Sequence, residues 1–351
     1  MVNLPEGDPT LNLAYAYSEA PPLTGSLKAA PEDFVVIENL GYQASGDGEH
    51  AFLNIRKRGR NTVEVADKLA KFAGVKRVAV GFAGLKDKHA VTEQSFTVQL
   101  PGKESPDWKS LEDNSLQIID TQRHNRKIRR GSLSGNSFRI CLREITGDKQ
   151  KADEILQLIK LRGVPNYFGE QRFGRHGNNL LNADKLFADP RKRLKRDQLS
   201  MYLSAARSHL FNQVLSQRVQ DGSWLEGMAG DVMLLAGSNK QFHTDFIDTD
   251  ITQRLLTLDI HPSGPMYGQP SRTLQATAGV AELENRLAKE WATWIEGLSK
   301  QRLDADRRAL RLAVTELSWQ WRDDQLQLAF SLPSGSYATS VIRELMRVNQ
   351  Q

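Results

Sequence analysis

Gly84-Leu85-Lys86-Asp87-Lys88-His89-Ala90-Val91-Thr92-Glu93-Gln94 forms a short polar turn that leads from one segment with the look of a β-strand into another. Upstream, Arg77-Val78-Ala79-Val80-Gly81-Phe82 is apolar and rich in β-branched residues, which favour strands. Downstream, Phe96, Val98 and Leu100 alternate with Ser95, Thr97 and Gln99, the period-2 pattern of a half-buried strand. The turn carries one carboxylate, Asp87. A charged turn at the end of a buried strand can hold a reactive group rigidly and leave it accessible. On these residues alone, an Asp that bonds its own backbone to make the turn is the simpler reading.

Working outward, 34–38, 51–55 and 138–142 read as further strands, and 61–73 as a helix. Asn61 stands at the N-cap with Glu64 in capping-box position, Gly74 follows as the C′ residue, and Val65, Leu69 and Phe72 fall on one face. After Gly147 the texture changes. Apolar residues at helical spacing predict helices over 149–161, 197–219 and 280–298, and the Gly- and Pro-punctuated stretch 227–268 reads as loops and short strands. Strand signals return at Leu310, Leu312 and Val314, and Trp319-Gln320-Trp321 faces 325–331 across a turn at Asp323-Asp324. A helix over 336–347 closes the chain. Strands at both ends around a helical block predict an α+β protein in which 1–161 and 311–351 build one sheet domain and 162–310 an inserted second domain.

Composition bounds the function. The chain has 351 residues, 39% hydrophobic and 25% charged, enough for two cores at about 150 residues per domain. No apolar run approaches the roughly 20 residues that span a bilayer, so no membrane partner is expected. The first nine residues include Glu6 and Asp8 and lack a basic start and an apolar core, so no secretory signal is visible and a cytoplasmic location is expected. The single cysteine, Cys141, excludes an internal disulfide and a cysteine-rich zinc site; between Ile140 and Leu142 it reads as a small buried hydrophobe. The net charge is +5 and the isoelectric point about 9.2. Basic clusters stand at 56–60, 123–130 and 191–196. Any one of them reads as a solvated face; three together fit a polyphosphate backbone.

The turn gains meaning from the rest of the chain. Gly-x-Lys-Asp-x-x-Ala-x-Thr-x-Gln, complete over 84–94, resembles the active-site motif of the TruD family of tRNA pseudouridine synthases. Three more segments resemble that family in its order: Lys28-Ala29-Ala30-Pro31-Glu32-Asp33-Phe34-Val35-Val36-Ile37-Glu38, Asn166-Tyr167-Phe168-Gly169-Glu170-Gln171-Arg172-Phe173-Gly174, and Leu332-Pro333-Ser334-Gly335-Ser336-Tyr337-Ala338-Thr339. The resemblance runs over about 28–347. It implies a pseudouridine-synthase catalytic domain with a mostly antiparallel mixed sheet, an inserted α/β TRUD domain, and a V-shaped two-domain molecule.

It also implies an activity: isomerisation of uridine to pseudouridine in tRNA, at position 13 in the D-arm. That reaction breaks the N1–C1′ bond and rejoins the base through C5 without redox change, so no cofactor and no metal is expected. No GxGxxG, no GxxxxGK[ST] and no ligand-spaced His/Cys/carboxylate cluster stands in the sequence. By resemblance Asp87 is the catalytic carboxylate, either attacking C1′ or removing a C2′ proton, with Lys28 the cation that keeps it charged. Lys86 adjoins Asp87 but would point the other way along an extended chain. Asn136 and Phe138 match an Asn-x-Phe element: Phe138 would stack on the flipped base, and Asn136 would hydrogen-bond the base or fix the Asp87 loop. Phe34 and Tyr337 are further implied aromatic positions lining the site, although some family members carry Phe where Tyr337 stands. The 166–174 segment reads as a structural turn at the domain boundary, with Arg172 on phosphate. Arg126, Lys127, Arg129 and Arg193 are the other backbone-phosphate candidates. The partner implied is tRNA. No protein partner is implied, and a monomer is expected. The competing reading is an RNA-binding protein without turnover; the complete motif around Asp87, together with Lys28, Asn136 and Phe138, speaks for the enzyme.

Overall fold

Asn61 and Glu64 start the helix that fixes the 84–94 turn. In the computed structural model, which describes residues 7–189 and 193–349, the Glu64 amide donates to Asn61 Oδ1 (2.8 Å) and the Asn61 amide to Glu64 Oε2 (3.2 Å). This capping box opens helix α1, Thr62–Phe72, as the sequence predicts. Its buried residues Val65, Ala66, Leu69 and Ala70 lie over Leu53, Ile55, Phe96 and Val98 of the sheet. Each large apolar side chain so buried contributes about 1.5–3 kcal/mol.

The chain divides into two units. One holds Leu23–Asp148, Val314–Gly335 and Arg347–Gln351; the other holds Met1–Pro22, Lys149–Ala313 and Ser336–Met346. These divisions fall at other positions than the sequence ranges, and the reason is packing. Helix Lys149–Arg162 buries Ala152, Ile155, Leu156 and Ile159 and meets the helix Thr339–Leu345. The guanidinium of Arg343 in turn reaches back to the Leu13 carbonyl (2.8 Å).

The first unit is built on one sheet with strands β1 (Leu23–Leu27), β2 (Phe34–Asn39), β3 (His50–Arg58), β4 (Val80–Phe82), β5 (Val91–Gln99), β6 (Leu116–His124) and β7 (Gly135–Gly147), completed by the hairpin Thr315–Arg322 and Gln325–Pro333. Its main path runs from the hairpin through β7, β2, β5 and β3 to β6, with β4 on β5 and β1 on β7. Pairing is antiparallel except between β2 and β5. The register sets Glu38 opposite Asn136, Val36 opposite Phe138 and Phe330 opposite Phe138. Val36 also faces Thr92 on the parallel side. Alternation therefore gathers Phe34, Glu38, Asn136, Phe138, Thr92 and Gln94 on one face. Cys141 has the opposite parity to Ile140 and Leu142. It is half-buried, with Sγ 3.6 Å from Gln325 Oε1, and not a core residue. The segment 77–82 is a 3₁₀ turn, Arg77–Ala79, followed by a strand of three residues.

The second unit centres on helix Arg196–Gln220, whose Leu203, Ala206, Leu210 and Phe211 join Phe173, Trp224 and Trp294 in one core. A small antiparallel sheet runs Gln241–Thr244, Asp231–Leu235, Ile260–Met266, Asp306–Ala309. Two local expectations need correction. The 280–298 stretch is two helices, Ala278–Glu290 and Ala292–Lys300, broken where Trp291 leaves helical geometry and turns its ring against Trp294 and His209, both 4.8 Å away. The 227–268 region contains a helix, Thr249–Leu256, capped by Asp248 onto the Ile251 amide (2.8 Å). The fold is α+β. No described helix is long and apolar enough to cross a membrane.

Candidate active site

The loop before β5 is held from three sides. Thr62, the first residue of α1, accepts a hydrogen bond from the Lys86 amide (2.9 Å) and donates to Gln94 Oε1 (3.0 Å). Gln94 Nε2 donates to the Gly84 carbonyl (2.7 Å). Lys57, only 1% exposed, donates to the carbonyls of Arg60 (2.7 Å) and Asp87 (3.2 Å). Burial pushes the Lys57 pKa down to about 8, against the pull of the Asp87 carboxylate. These contacts fix the backbone on both sides of Asp87.

Asp87 does two things at once. Oδ1 accepts from the His89 amide (2.9 Å), the turn-making bond expected of an Asp here. Oδ2 is bonded by Lys28 Nζ, from a segment 59 residues earlier. The two side chains are 29% and 27% exposed, so the pair is sheltered but reachable. Burial works to raise the Asp87 pKa; the Lys28 hydrogen bond, the His89 amide and the Lys28 charge outweigh it and hold the carboxyl below its ordinary value. Lys28 itself stands at φ 60, a left-handed conformation that costs a non-glycine residue about 1–3 kcal/mol.

The motif after Lys28 explains how that lysine is placed. Pro31–Asp33 is a 3₁₀ turn. Asp33 caps it on the Ala30 amide (2.9 Å) and takes a bidentate grip from Arg143 of β7, with Nε and Nη2 at 2.9 and 2.7 Å from Oδ1. Phe34 then starts β2, with Lys28 Nζ 4.3 Å from its ring centroid, a cation–π distance. Phe34 meets Phe138 edge-on at 6.1 Å, and Phe138 stacks on Phe330 at 5.3 Å.

Lys86 lies in the loop between β4 and β5, outside any strand, and its side chain bonds groups other than Asp87. Its Nζ donates to Asn136 Oδ1 and lies 3.4 Å from Glu38 Oε2. Burial dominates at both groups, lowering the Lys86 pKa and raising that of Glu38, with each charge opposing the shift of its partner. Glu38 also accepts from the Ser95 amide (3.2 Å) and Gln94 Nε2 (3.4 Å).

The structure thus brings Lys28, Asp87, Phe34, Asn136 and Phe138 together in one unit. Tyr337 lies in the other, where its hydroxyl accepts from Arg172 Nη2 (2.6 Å) and its ring meets Phe168 at 6.0 Å. Arg172 also donates to Ser204 Oγ (2.9 Å). Tyr167, Phe168 and Phe173 of the same segment are core residues. Among the basic candidates, Arg126, Arg129 and Arg193 are exposed, and Lys127 Nζ is turned onto the Val78 carbonyl. Arg191 and Lys192 lie outside the described residues. Sequence reasoning gave no role to Glu38, Lys57, Thr62 or Gln94. Parity carried a signal for three of them, since Glu38, Lys57 and Gln94 are polar residues in step with buried Val36, Ile55 and Phe96.

The architecture matches that of a crystal structure from Methanosarcina mazei described as a tRNA pseudouridine synthase D: TM-score 0.75, 21% identity, 99% of both chains covered. In sequence the chain is 49% identical over 328 residues to the tRNA pseudouridine synthase D of Methylococcus capsulatus, covering 93% of this chain and 92% of that one. It is 46% identical over 342 residues to that of Aeromonas salmonicida, covering 96% and 95%. A family model described as tRNA pseudouridine synthase D (TruD) matches residues 10–186 and 177–345. The chain belongs to the TruD family.

Proposed function

We propose that this protein isomerises uridine to pseudouridine in tRNA, at position 13 in the D-arm, with Asp87 as the catalytic carboxylate. The observation that carries the reading is the Lys28–Asp87 ion pair. It joins two motifs distant in sequence and leaves an ionised carboxylate partly accessible, paired with a lysine that itself stands over the ring of Phe34. A glycosidic carbon developing positive charge needs such a group next to it.

In the reaction the N1–C1′ bond breaks, a C5–C1′ bond forms, the C5 proton leaves to solvent and N1 ends protonated, so atoms and electrons balance without a second substrate. Asp87 serves as nucleophile at C1′ or as base at C2′. Lys28 keeps it ionised, and Asn136, Phe138 and Phe34 contact the flipped base. The unit that carries Asp87 belongs to the catalytic domain, and residues 162–310, in the second unit, form the inserted domain. In that second unit Tyr337 and Arg172 are assigned to the RNA, with Arg193 on the phosphate backbone. Arg126, Lys127 and Arg129 take backbone phosphates in the first. The test is tritium release from tRNA labelled at C5 of uridine, with wild type beside Asp87→Asn. Release by wild type and none by the variant is expected; equal release by both removes Asp87 from its role.

A further inference from the structure

Lys86 belongs to the Asp87 motif, its side chain is not used by the proposed chemistry, and its contacts are specific. Its Nζ donates to Asn136 Oδ1. An ammonium has three donors and no acceptor. The amide of Asn136 must therefore turn its oxygen toward Lys86, whichever way an amide would otherwise be assigned. Its Nδ2 is left as the outward pole, and among the described residues no hydrogen bond is made by that atom. Asn136 is half-buried, in β7 two residues before Phe138 and on the same sheet face. Lys86 is itself held by Glu38, whose side chain is fully buried and further fixed by Ser95 and Gln94. The network fixes a polarity: donors outward, acceptor inward.

We propose that Lys86 is a positioning residue which locks Asn136 as a donor-only reader of the base, and that this selects uracil over cytosine through the whole turn of the ring. The inference rests on the reading of the site given above. Moving the glycosidic bond from N1 to C5 turns the base about the line through N3 and C6, which exchanges the places of O2 and O4. In uracil both are acceptors, so a donor at Asn136 is satisfied before and after the turn. In cytosine one of the two places holds the 4-amino group, a donor. Asn136 is set against the 4-position of the entering base, so cytosine opposes donor to donor on entry, before any turn. Asn136 with its amide free to flip would accept the amino group as readily as a carbonyl, and discrimination would vanish. Lys86 prevents that flip.

The experiment is done on the full chain. The uridine converted by wild type in an unmodified tRNA transcript is first mapped, and a second transcript carries cytidine at that position alone. Affinities for the two are compared in an Asp87→Asn background, where the uridine transcript is not consumed. A donor opposed to a donor in a sheltered site is left unsatisfied, so the uridine transcript should bind on the order of tenfold more tightly. Adding Lys86→Met should bring the ratio to about one, whereas a merely structural lysine would weaken both transcripts alike and leave the ratio standing. Lys86→Met leaves Glu38 buried without its partner, so Lys86→Met/Glu38→Gln is measured beside it. Asn136→Asp keeps the Lys86 contact, presents an acceptor outward, and should favour the cytidine transcript. A ratio unchanged in Lys86→Met, in the double variant or in Asn136→Asp overturns the proposal. Turnover persisting in Asp87→Asn is a different failure, which falls on the carboxylate assignment.

Discussion

Lys28→Met removes the ammonium beside Asp87 and keeps the length of the side chain. In the wild type, burial raises the Asp87 pKa and the Lys28 contact together with the His89 amide overcomes it. Without Lys28, burial is opposed by one amide. A hydrogen bond to a charged group contributes about 1.5–3 kcal/mol, or about one to two pH units at 1.36 kcal/mol per unit. Both side chains are more than a quarter exposed, so solvent screens part of this and a rise of about one unit is expected. The acidic limb of kcat/KM should move up by that amount. The loss of activity from this cause should therefore grow as pH falls. Tritium release from C5-labelled tRNA, measured across the acid and neutral range, reads it directly. An acidic limb that stays in place while Asp87→Asn is inactive refutes the argument that Lys28 sets the ionisation of Asp87.

The same pair makes a stability argument. The folded pKa of Asp87 is depressed, so its contribution is present above the unfolded value and lost as pH falls through the folded one. Lys28→Met should therefore melt below wild type at neutral pH, with the gap closing on acidification. Lys28→Gly removes the same cation but relieves the positive φ, so it should be more stable than Lys28→Met by about 1 kcal/mol while equally impaired in turnover. A glycine variant no more stable than the methionine one would show that the left-handed backbone at 28 carries no strain.

Three further outcomes are expected. His209, packed 4.8 Å from Trp291 and 6.0 Å from Trp294 with neither ring nitrogen bonded among the described residues, has its pKa pushed down to about 4 by burial. Its unfolded state takes a proton that the folded state refuses, so stability should fall between about pH 6.5 and 4 by up to about 3 kcal/mol, and His209→Phe should flatten that slope in urea titrations. Reversing Arg126 and Arg129 to Glu should weaken tRNA binding and reduce the slope of log K against log salt by about 0.7–0.9 for each phosphate no longer neutralised; an unchanged slope makes that cluster a solvated face. Asp33→Asn breaks the bidentate grip of Arg143 and should lower the melting temperature, with activity falling because the turn that places Lys28 loosens; a melt equal to wild type would deny the grip its structural role.

What the sequence disclosed and what it withheld follow one physical line. Local rules were legible: the Asn61/Glu64 capping box, the alternation of Phe96 and Val98 and the turn-making Asp87 are all set by neighbours a few residues away. The family motifs named Lys28 and Asp87, but only the sheet shows why they meet, since β2 runs parallel to β5 and brings the segment before Phe34 alongside the turn before Val91. Cys141 and Trp291 were misread for the opposite reason. Apolar flanks say nothing of a residue's own face in a strand, and an apolar stripe says nothing of a bend that one indole imposes. The polar network at Glu38, Lys57, Lys86 and Gln94 was hardest to see. Glu38, Lys57 and Gln94 are each a single polar residue at a buried parity and Lys86 a lysine in a loop, indistinguishable from a packing fault or a solvated charge until partners from four strands and a helix are in place. Burying polar groups is costly unless each finds a partner. Their joint presence is therefore a stronger pointer to the site than any one of them, and their hydrogen bonds hold the backbone of the loop that carries Asp87.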